Sequence, residues 1–265
     1  MKKLFILMTL LSTVFLGYCQ QNKGKLMPVT GTSNSALTLY NQGMKYFNDV
    51  NLPKAIDKFN AALKEDPDFF MANYQLAFFS LLNHSNDTFE KYADAAINSK
   101  EKLNQGEEVL KDALVKLRQG STDVVNDGKK LVEMYPQDPD AYNNLISFQS
   151  LAGDSVGMVE TIKKAITIAS KPAPFYNQLG YAYLTLKQTD KAKEAFDKYI
   201  ELDPNNPNAY DSKGDYYMYV KEYDKAYQSY MKANSMDSSF SEDKAEAAKR
   251  AYEESTGQEL NIISI

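Results

Sequence analysis

The sequence has little of what disulfide and zinc chemistry requires. Its 265 residues include one cysteine, Cys19, and one histidine, His84. A single thiol cannot close a disulfide within the chain, and a Cys/His zinc site needs four such ligands. These shortages exclude a disulfide framework and a Cys/His zinc centre, and the sequence predicts no cofactor and no metal site.

Concentrated positive charge is also lacking. The net charge is −5, the isoelectric point is about 5.1, and no cluster of lysine and arginine stands out. Proteins that bind nucleic acid need a basic surface that follows the phosphate backbone. We therefore expect no nucleic-acid partner.

Catalytic motifs are scarce as well. The sequence has no P-loop, no HExxH motif and no glycine-rich dinucleotide fingerprint. Residues 153–157 fit the G-x-S-x-G pattern of a hydrolase nucleophile elbow, which requires a preceding strand and a histidine base within reach. Here the pattern lies between two predicted helices, so we interpret it as a turn. No catalytic residue is assigned, and no enzymatic activity is expected.

The chain does contain a 34-residue repeat, which is clearest in residues 173–240. The two copies read Tyr176-x2-Leu179-Gly180-x2-Tyr183 with Ala192-x3-Phe196, and Tyr210-x2-Lys213-Gly214-x2-Tyr217 with Ala226-x3-Tyr230. The small residues Gly180 and Ala192 allow two helices to cross closely, while Phe196 fills the space around the crossing. Each copy therefore predicts a helical hairpin.

This pattern resembles the tetratricopeptide repeat, with tyrosine where the family has tryptophan. The resemblance implies an all-α, right-handed superhelical solenoid of about six hairpins with a C-terminal capping helix. The predicted hairpins are residues 36–69, 70–104, 105–138, 139–172, 173–206 and 207–240, and the capping helix with its tail is 241–265. Residues 105–138 match least well, because Gly128 falls inside a helix, where it costs about 1 kcal/mol against alanine.

The first residues predict an export signal. Lys2 and Lys3 precede a short apolar run, Leu4 to Leu16, which is too short to span a membrane. Residues 1–19 are therefore a predicted signal peptide, and residues 20–35 a predicted flexible leader. The small residues Gly17 and Cys19 fit ordinary cleavage, but residues 16–19 also resemble a bacterial lipobox, in which Cys19 would be lipidated. Tyr18 departs from that pattern, and both alternatives place the protein in the periplasm or at the outer membrane.

The resemblance also assigns candidate partner-binding residues, since the first helix of each tetratricopeptide hairpin lines a concave groove. The candidates in the first two hairpins are apolar or aromatic: Tyr40, Met44, Phe47, Tyr74, Phe78 and Leu81. The candidates in the last three hairpins are mostly polar or acidic: Asn143, Asn177, Tyr181, Asp211 and Asp215. Each aromatic at helical spacing could instead pack between hairpins, and the sequence leaves both placements open.

These features predict a non-enzymatic scaffold in the bacterial cell envelope that binds another protein as a peptide or helix. The chain would touch the membrane only through a lipid on Cys19. One alternative is an outer-membrane lipoprotein that assists assembly of pilus or barrel proteins. A second is a carbohydrate-binding envelope protein, because tyrosines of the C-terminal half could stack on sugars.

Overall fold

The structure, a computed structural model, describes residues 26–31 and 33–260. Over these residues it contains thirteen α-helices and no strand, so the chain is an all-α repeat solenoid of consecutive helical hairpins. The predicted signal peptide, Cys19 and residues 261–265 lie outside the described residues. Contacts divide the chain into two compact units after Asp154.

The first unit holds seven of the described helices: α1 (Asn34–Asn48), α2 (Leu52–Glu65), α3 (Phe70–Leu82), α4 (Asn86–Ile97), α5 (Gln105–Arg118), α6 (Val125–Met134) and α7 (Pro139–Leu151). The second unit holds the other six: α8 (Ser155–Ile168), α9 (Ala173–Thr185), α10 (Thr189–Leu202), α11 (Pro207–Tyr219), α12 (Tyr223–Met236) and α13 (Glu242–Thr256). Consecutive helices pack as the hairpins α1–α2, α3–α4, α5–α6, α9–α10 and α11–α12.

Local sequence explains where several helices begin. The side chain of Asn51 accepts a hydrogen bond from the Lys54 N–H at 3.3 Å, and Pro53 stands in the first turn, where its missing N–H costs nothing. Asn104 and Glu107 form a reciprocal capping box at the start of α5. Both devices satisfy N–H groups that a helix start leaves without an intrahelical partner.

Six helices end in the same left-handed turn. The residue after each C-cap has a φ between 55° and 77°, and these residues are Val50, His84, Gly120, Gly153, Lys187 and Lys221. In each case the next N–H bonds to a carbonyl five residues earlier, as from Asn51 to Tyr46 at 2.8 Å. This is the Schellman arrangement, which normally favours glycine. Only two of the six positions hold glycine, so sequence signals mark these turns weakly.

Val50 is the least suitable of these residues, because it is β-branched and has a φ of 57°. We expect Val50→Gly to raise the free energy of unfolding by about 0.5–1 kcal/mol, since relief of left-handed strain exceeds the entropy cost of glycine. Thermal unfolding measures the change. The matched control is Gly120→Ala, which has open space around it but a φ of 77° and should lose about 1 kcal/mol. A lower melting temperature for Val50→Gly would contradict the assignment of strain.

The close crossing predicted inside the repeat is present in α9–α10. A Cβ at Gly180 would stand 2.5 Å from the Phe196 ring, and Phe196 is fully buried. Ala192 and Tyr183 are buried beside it. The glycine therefore lets the aromatic ring of the second helix lie against the backbone of the first.

The sequence predicted that Gly128 only weakens its helix, but the structure gives it a packing role. It is buried in α6, and an added Cβ would stand 2.8 Å from the Leu145 Cα and 3.0 Å from the Phe148 ring. Leu145 and Phe148 belong to α7, on which α6 packs more extensively than on α5. The expected helix penalty is thus offset by a close approach between helices that no larger residue permits.

Both ends of the described chain differ from expectation in detail. Residues 26–31, which we call the strap, belong to the predicted flexible leader but are hydrogen-bonded to the starts of α5 and α7. At the other end, α13 packs on α12, with Ala245 and Ala248 buried. Ser241 directly precedes α13, but its φ is 65° and its hydroxyl bonds to Asp211 instead of capping the helix.

Candidate functional site

The apolar candidates of the first unit lie in its core. Tyr40, Tyr74 and Phe78 are buried, with 3%, 1% and 6% of their surface exposed. The other three, Met44, Phe47 and Leu81, are partly buried against the same hydrophobic cluster. Every residue of α3 from Phe70 to Ser80 is buried, so this helix is surrounded by its neighbours.

The reason is that α7 covers the face of α3 that the sequence assigned to a groove. The Tyr74 hydroxyl donates to Asn144 Oδ1 at 2.7 Å, and the Phe78 ring stands edge-on to Phe148 with 6.0 Å between centroids. Tyr40 packs against Phe59 and Phe69 at 5.5 and 5.3 Å. Burial also raises the pKa of the Tyr40 and Tyr74 hydroxyls above their usual range. The chain itself fills the space that a partner was expected to occupy.

Asn143 also belongs to the first unit, on α7. Its side chain bonds to the Asp140 carboxylate one turn earlier. Burial raises the pKa of Asp140 to about 6, and the hydrogen bond from Asn143 partly opposes that rise. Asn143 therefore bonds within its own helix α7, and it lies in a different unit from the other polar candidates.

Three polar candidates of the second unit come together on α9 and α11. The Tyr181 hydroxyl donates to Asp215 at 2.7 Å, and Asp215 lies one turn after Asp211. Lys244 of α13 bridges the two carboxylates, at 2.7 Å from Asp211 and 2.9 Å from Asp215. Tyr219 stands a further turn along α11, on the side of the helix that Asp215 occupies. We call Tyr181, Asp211, Asp215, Tyr219 and Lys244 the tyrosine–carboxylate face.

The members of this face differ in exposure. Both tyrosines are exposed large hydrophobic side chains, at 37% for Tyr181 and 46% for Tyr219. Asp211 is buried and Asp215 partly buried. Although the side chain of Tyr181 as a whole is exposed, burial of its hydroxyl and the neighbouring Asp215 carboxylate raise the pKa of that hydroxyl, so it stays a hydrogen-bond donor. The ring of Tyr181 is further fixed edge-on to Phe196, with 5.1 Å between centroids.

Asn177, the fourth candidate of the second unit, is buried one turn before Tyr181 on α9. Over the residues the structure describes, its Oδ1 atom has no hydrogen-bond donor within reach. A buried carbonyl oxygen without a donor is costly, at roughly 1–3 kcal/mol. The Asn177 side chain on α9 therefore holds a buried carbonyl oxygen that could accept a hydrogen bond.

Sequence reasoning missed two members of this arrangement. The Tyr230 hydroxyl donates to Asp215 at 2.7 Å from α12, and Lys244 reaches both carboxylates from α13. Tyr230 was visible as the aromatic of the repeat pattern, but nothing there indicated that its hydroxyl would reach α11. Lys244 carried no signal, because it follows the last predicted hairpin and lies in a helix assigned only to capping.

The hydrolase pattern at residues 153–157 is a helical turn in the structure. Gly153 has a φ of 71° and follows α7, while Ser155 is the first residue of α8. A helix, not a strand, therefore precedes the serine, as the turn interpretation predicted. The arrangement lacks the strand-to-helix geometry that presents a nucleophile.

The hairpins that carry the tyrosine–carboxylate face are helical repeats. A family model for the tetratricopeptide repeat matches residues 173–206 and 207–240, which contain α9–α10 and α11–α12. Residues 173–240 therefore contain two tetratricopeptide repeats, as the sequence pattern predicted. Such repeats are generally non-catalytic scaffolds that bind other proteins or peptides.

Solved structures similar to this chain include TTC0263 and PilW. TTC0263, described as a thermophilic TPR protein in Thermus thermophilus, is 18% identical and covers 82% of this chain and 98% of its own, with a TM-score of 0.48. PilW, described as a widely conserved type IV pilus biogenesis factor, is 14% identical over 82% of this chain and 99% of its own, with a TM-score of 0.47. A comparison with curated proteins found no match.

None of the helices among the described residues combines the length and the apolar character that crossing a bilayer requires.

Proposed function

We propose that this protein is a non-enzymatic scaffold of the bacterial cell envelope whose partner docks on the tyrosine–carboxylate face. The observation that carries the proposal is the pair of exposed tyrosines, Tyr181 and Tyr219, on the first helices of two tetratricopeptide hairpins. Aromatic side chains of this kind supply most of the binding energy in protein interfaces. Asp215 holds the Tyr181 hydroxyl, so little side-chain freedom is lost on binding.

The charge of the face favours a partner with a cationic group. Two carboxylates, Asp211 and Asp215, share one ammonium group from Lys244, which leaves an excess of negative charge. Asp215 is the more accessible of the two carboxylates. A peptide or helix that presents an apolar side chain beside a lysine or arginine is complementary to this arrangement.

The envelope location rests on the sequence. The basic start and short apolar run of residues 1–19 support export, and both cleavage at Cys19 and its lipidation remain part of the proposal. A lipid on Cys19 would favour the outer-membrane lipoprotein alternative. Intact-mass spectrometry of the mature chain distinguishes the two forms.

The test is a pull-down from the native envelope with wild-type protein and the double variant Tyr181→Ala with Tyr219→Ala. Each lost anchor should cost about 2 kcal/mol, so recovery of the specific partner should fall by at least tenfold. The matched control is Leu202→Ala, because Leu202 is similarly exposed (40%) but lies on the second helix α10. Equal loss in both variants, or no loss in the double variant, would reject the proposed face.

A further inference from the structure

The strap is bound to the first unit through its backbone. The N–H of Met27 donates to Asp138 Oδ2 at 2.6 Å, and the N–H of Thr30 donates to Glu107 Oε1 at 2.6 Å. The Asn104 side-chain amide donates to the Pro28 carbonyl at 2.8 Å. All three contacts are made to main-chain atoms of the strap.

Two side chains of the strap add selectivity. The Thr30 hydroxyl donates to Glu107 Oε2, so this one carboxylate receives both polar hydrogens of the threonine. The Met27 side chain fills the space above Gly106, where an added Cβ would meet its Sδ atom at 2.5 Å and the Tyr135 ring at 2.9 Å. An unbranched apolar residue followed three positions later by a hydroxyl residue satisfies both contacts.

The carboxylates of Glu107 and Asp138 receive some of their hydrogen bonds only when a segment occupies this site. Glu107 is fully buried, and the strap supplies its hydrogen bonds from Thr30 in addition to the one from the Asn104 N–H at 2.9 Å. Asp138 is buried too. Burial raises the pKa of its carboxyl group, while the hydrogen bonds from the Met27 and Asp140 N–H groups lower it. A buried carboxylate that loses its donors is strongly destabilised, so the site favours a bound segment.

We propose that Asn104, Glu107 and Asp138 form a second peptide-binding site, which the strap occupies as a tethered internal ligand. The partner is an extended peptide from another protein with an unbranched apolar residue three positions before threonine or serine. Because the strap is joined to α1 by a short connection, its effective concentration at the site is high, on the order of millimolar. A peptide from another chain therefore binds only when the strap is released. This site lies in the first unit and is independent of the tyrosine–carboxylate face.

The experiment uses the full chain, both wild type and the released variant Met27→Ala with Thr30→Ala. The probe is a fluorescent, end-blocked peptide with the sequence of residues 26–31, and the control peptide has valine in place of its threonine. The released variant should bind the probe at least tenfold more tightly than wild type and should bind the valine peptide at least tenfold more weakly than the probe. Adding Glu107→Gln to the released variant should also weaken binding by at least tenfold.

A second measurement keeps the test independent of how well the released variant folds. In the wild-type chain, probe at about 1 mM, which matches the effective concentration of a short tether, should accelerate hydrogen exchange of the Thr30 amide. The site is only a structural brace if the released variant folds, exposes its strap to exchange and fails to bind the probe. Unchanged Thr30 exchange in wild type under excess probe would equally overturn the proposal.

Discussion

Replacing Tyr74 and Phe78 together by alanine is expected to unfold the first unit. Both side chains are almost fully buried in α3, and their rings stack with 6.1 Å between centroids. Truncating one large aromatic core residue costs about 3–5 kcal/mol. The two losses are not simply additive for residues in contact, but their sum is comparable with the roughly 5–15 kcal/mol that holds a typical protein folded.

Hydrogen exchange and circular dichroism measure this effect. Amides of α1 to α7 should lose protection in the double variant, whereas those of α9 to α12 should keep it, because solenoid stability is largely a sum of local terms. Tyr181→Ala with Tyr219→Ala is the matched control, since it removes two aromatics that are exposed. If Tyr74→Ala with Phe78→Ala melted within about 2 °C of wild type, the assignment of α3 to the core would be wrong.

Gly128→Ala is the second large expected effect, and its sign opposes helix propensity. Alanine is the better helix former by about 1 kcal/mol. Its Cβ, however, would stand 2.8 Å from the Leu145 Cα, which is a backbone atom and cannot rotate away. The helices α6 and α7 must then separate, and overpacking of this kind costs about 1–3 kcal/mol. We expect a net loss of stability in chemical denaturation.

The matched control for this change lies in the same helix. Asn126 is exposed on α6, so Asn126→Ala adds helix propensity without a clash and should be neutral or slightly stabilising. A Gly128→Ala protein more stable than wild type would show that the two helices tolerate separation. It would also restore the view that Gly128 is a simple defect of the weakest hairpin.

The repeat pattern predicted much of the fold because its signals are local. Gly180 and Phe196 lie in adjacent helices of one hairpin, so their pairing follows from a short-range template. Whether Tyr74 and Phe78 are buried depends on α7, which lies some 70 residues later in the chain. The apolar periodicity of α3 is the same for a helix that lines an open groove and for one in a closed core. Only the three-dimensional path of the chain from α3 to α7 decides between a groove and a core.

The polar sites show the same limit. Lys244 reaches Asp211 and Asp215 from a helix outside the repeat pattern, and Met27 reaches Asp138 across more than a hundred residues. Neither contact has a spacing rule that could be read from the chain. The acidic candidates Asp211 and Asp215 could be named because repeat positions assign them to first helices, but their partners could not.

If the predicted cleavage leaves Cys19 as the first residue, the strap also limits the distance between the folded first unit and the start of the mature chain. Leu26, the first described residue, follows Cys19 by seven positions. Seven fully extended residues span at most about 25 Å. A leader free as far as Ser33 would span about twice that distance. If Cys19 carries a lipid, the starts of α5 and α7 in the first unit must lie within about 25 Å of the bilayer surface. Release of the strap would roughly double the length of this tether.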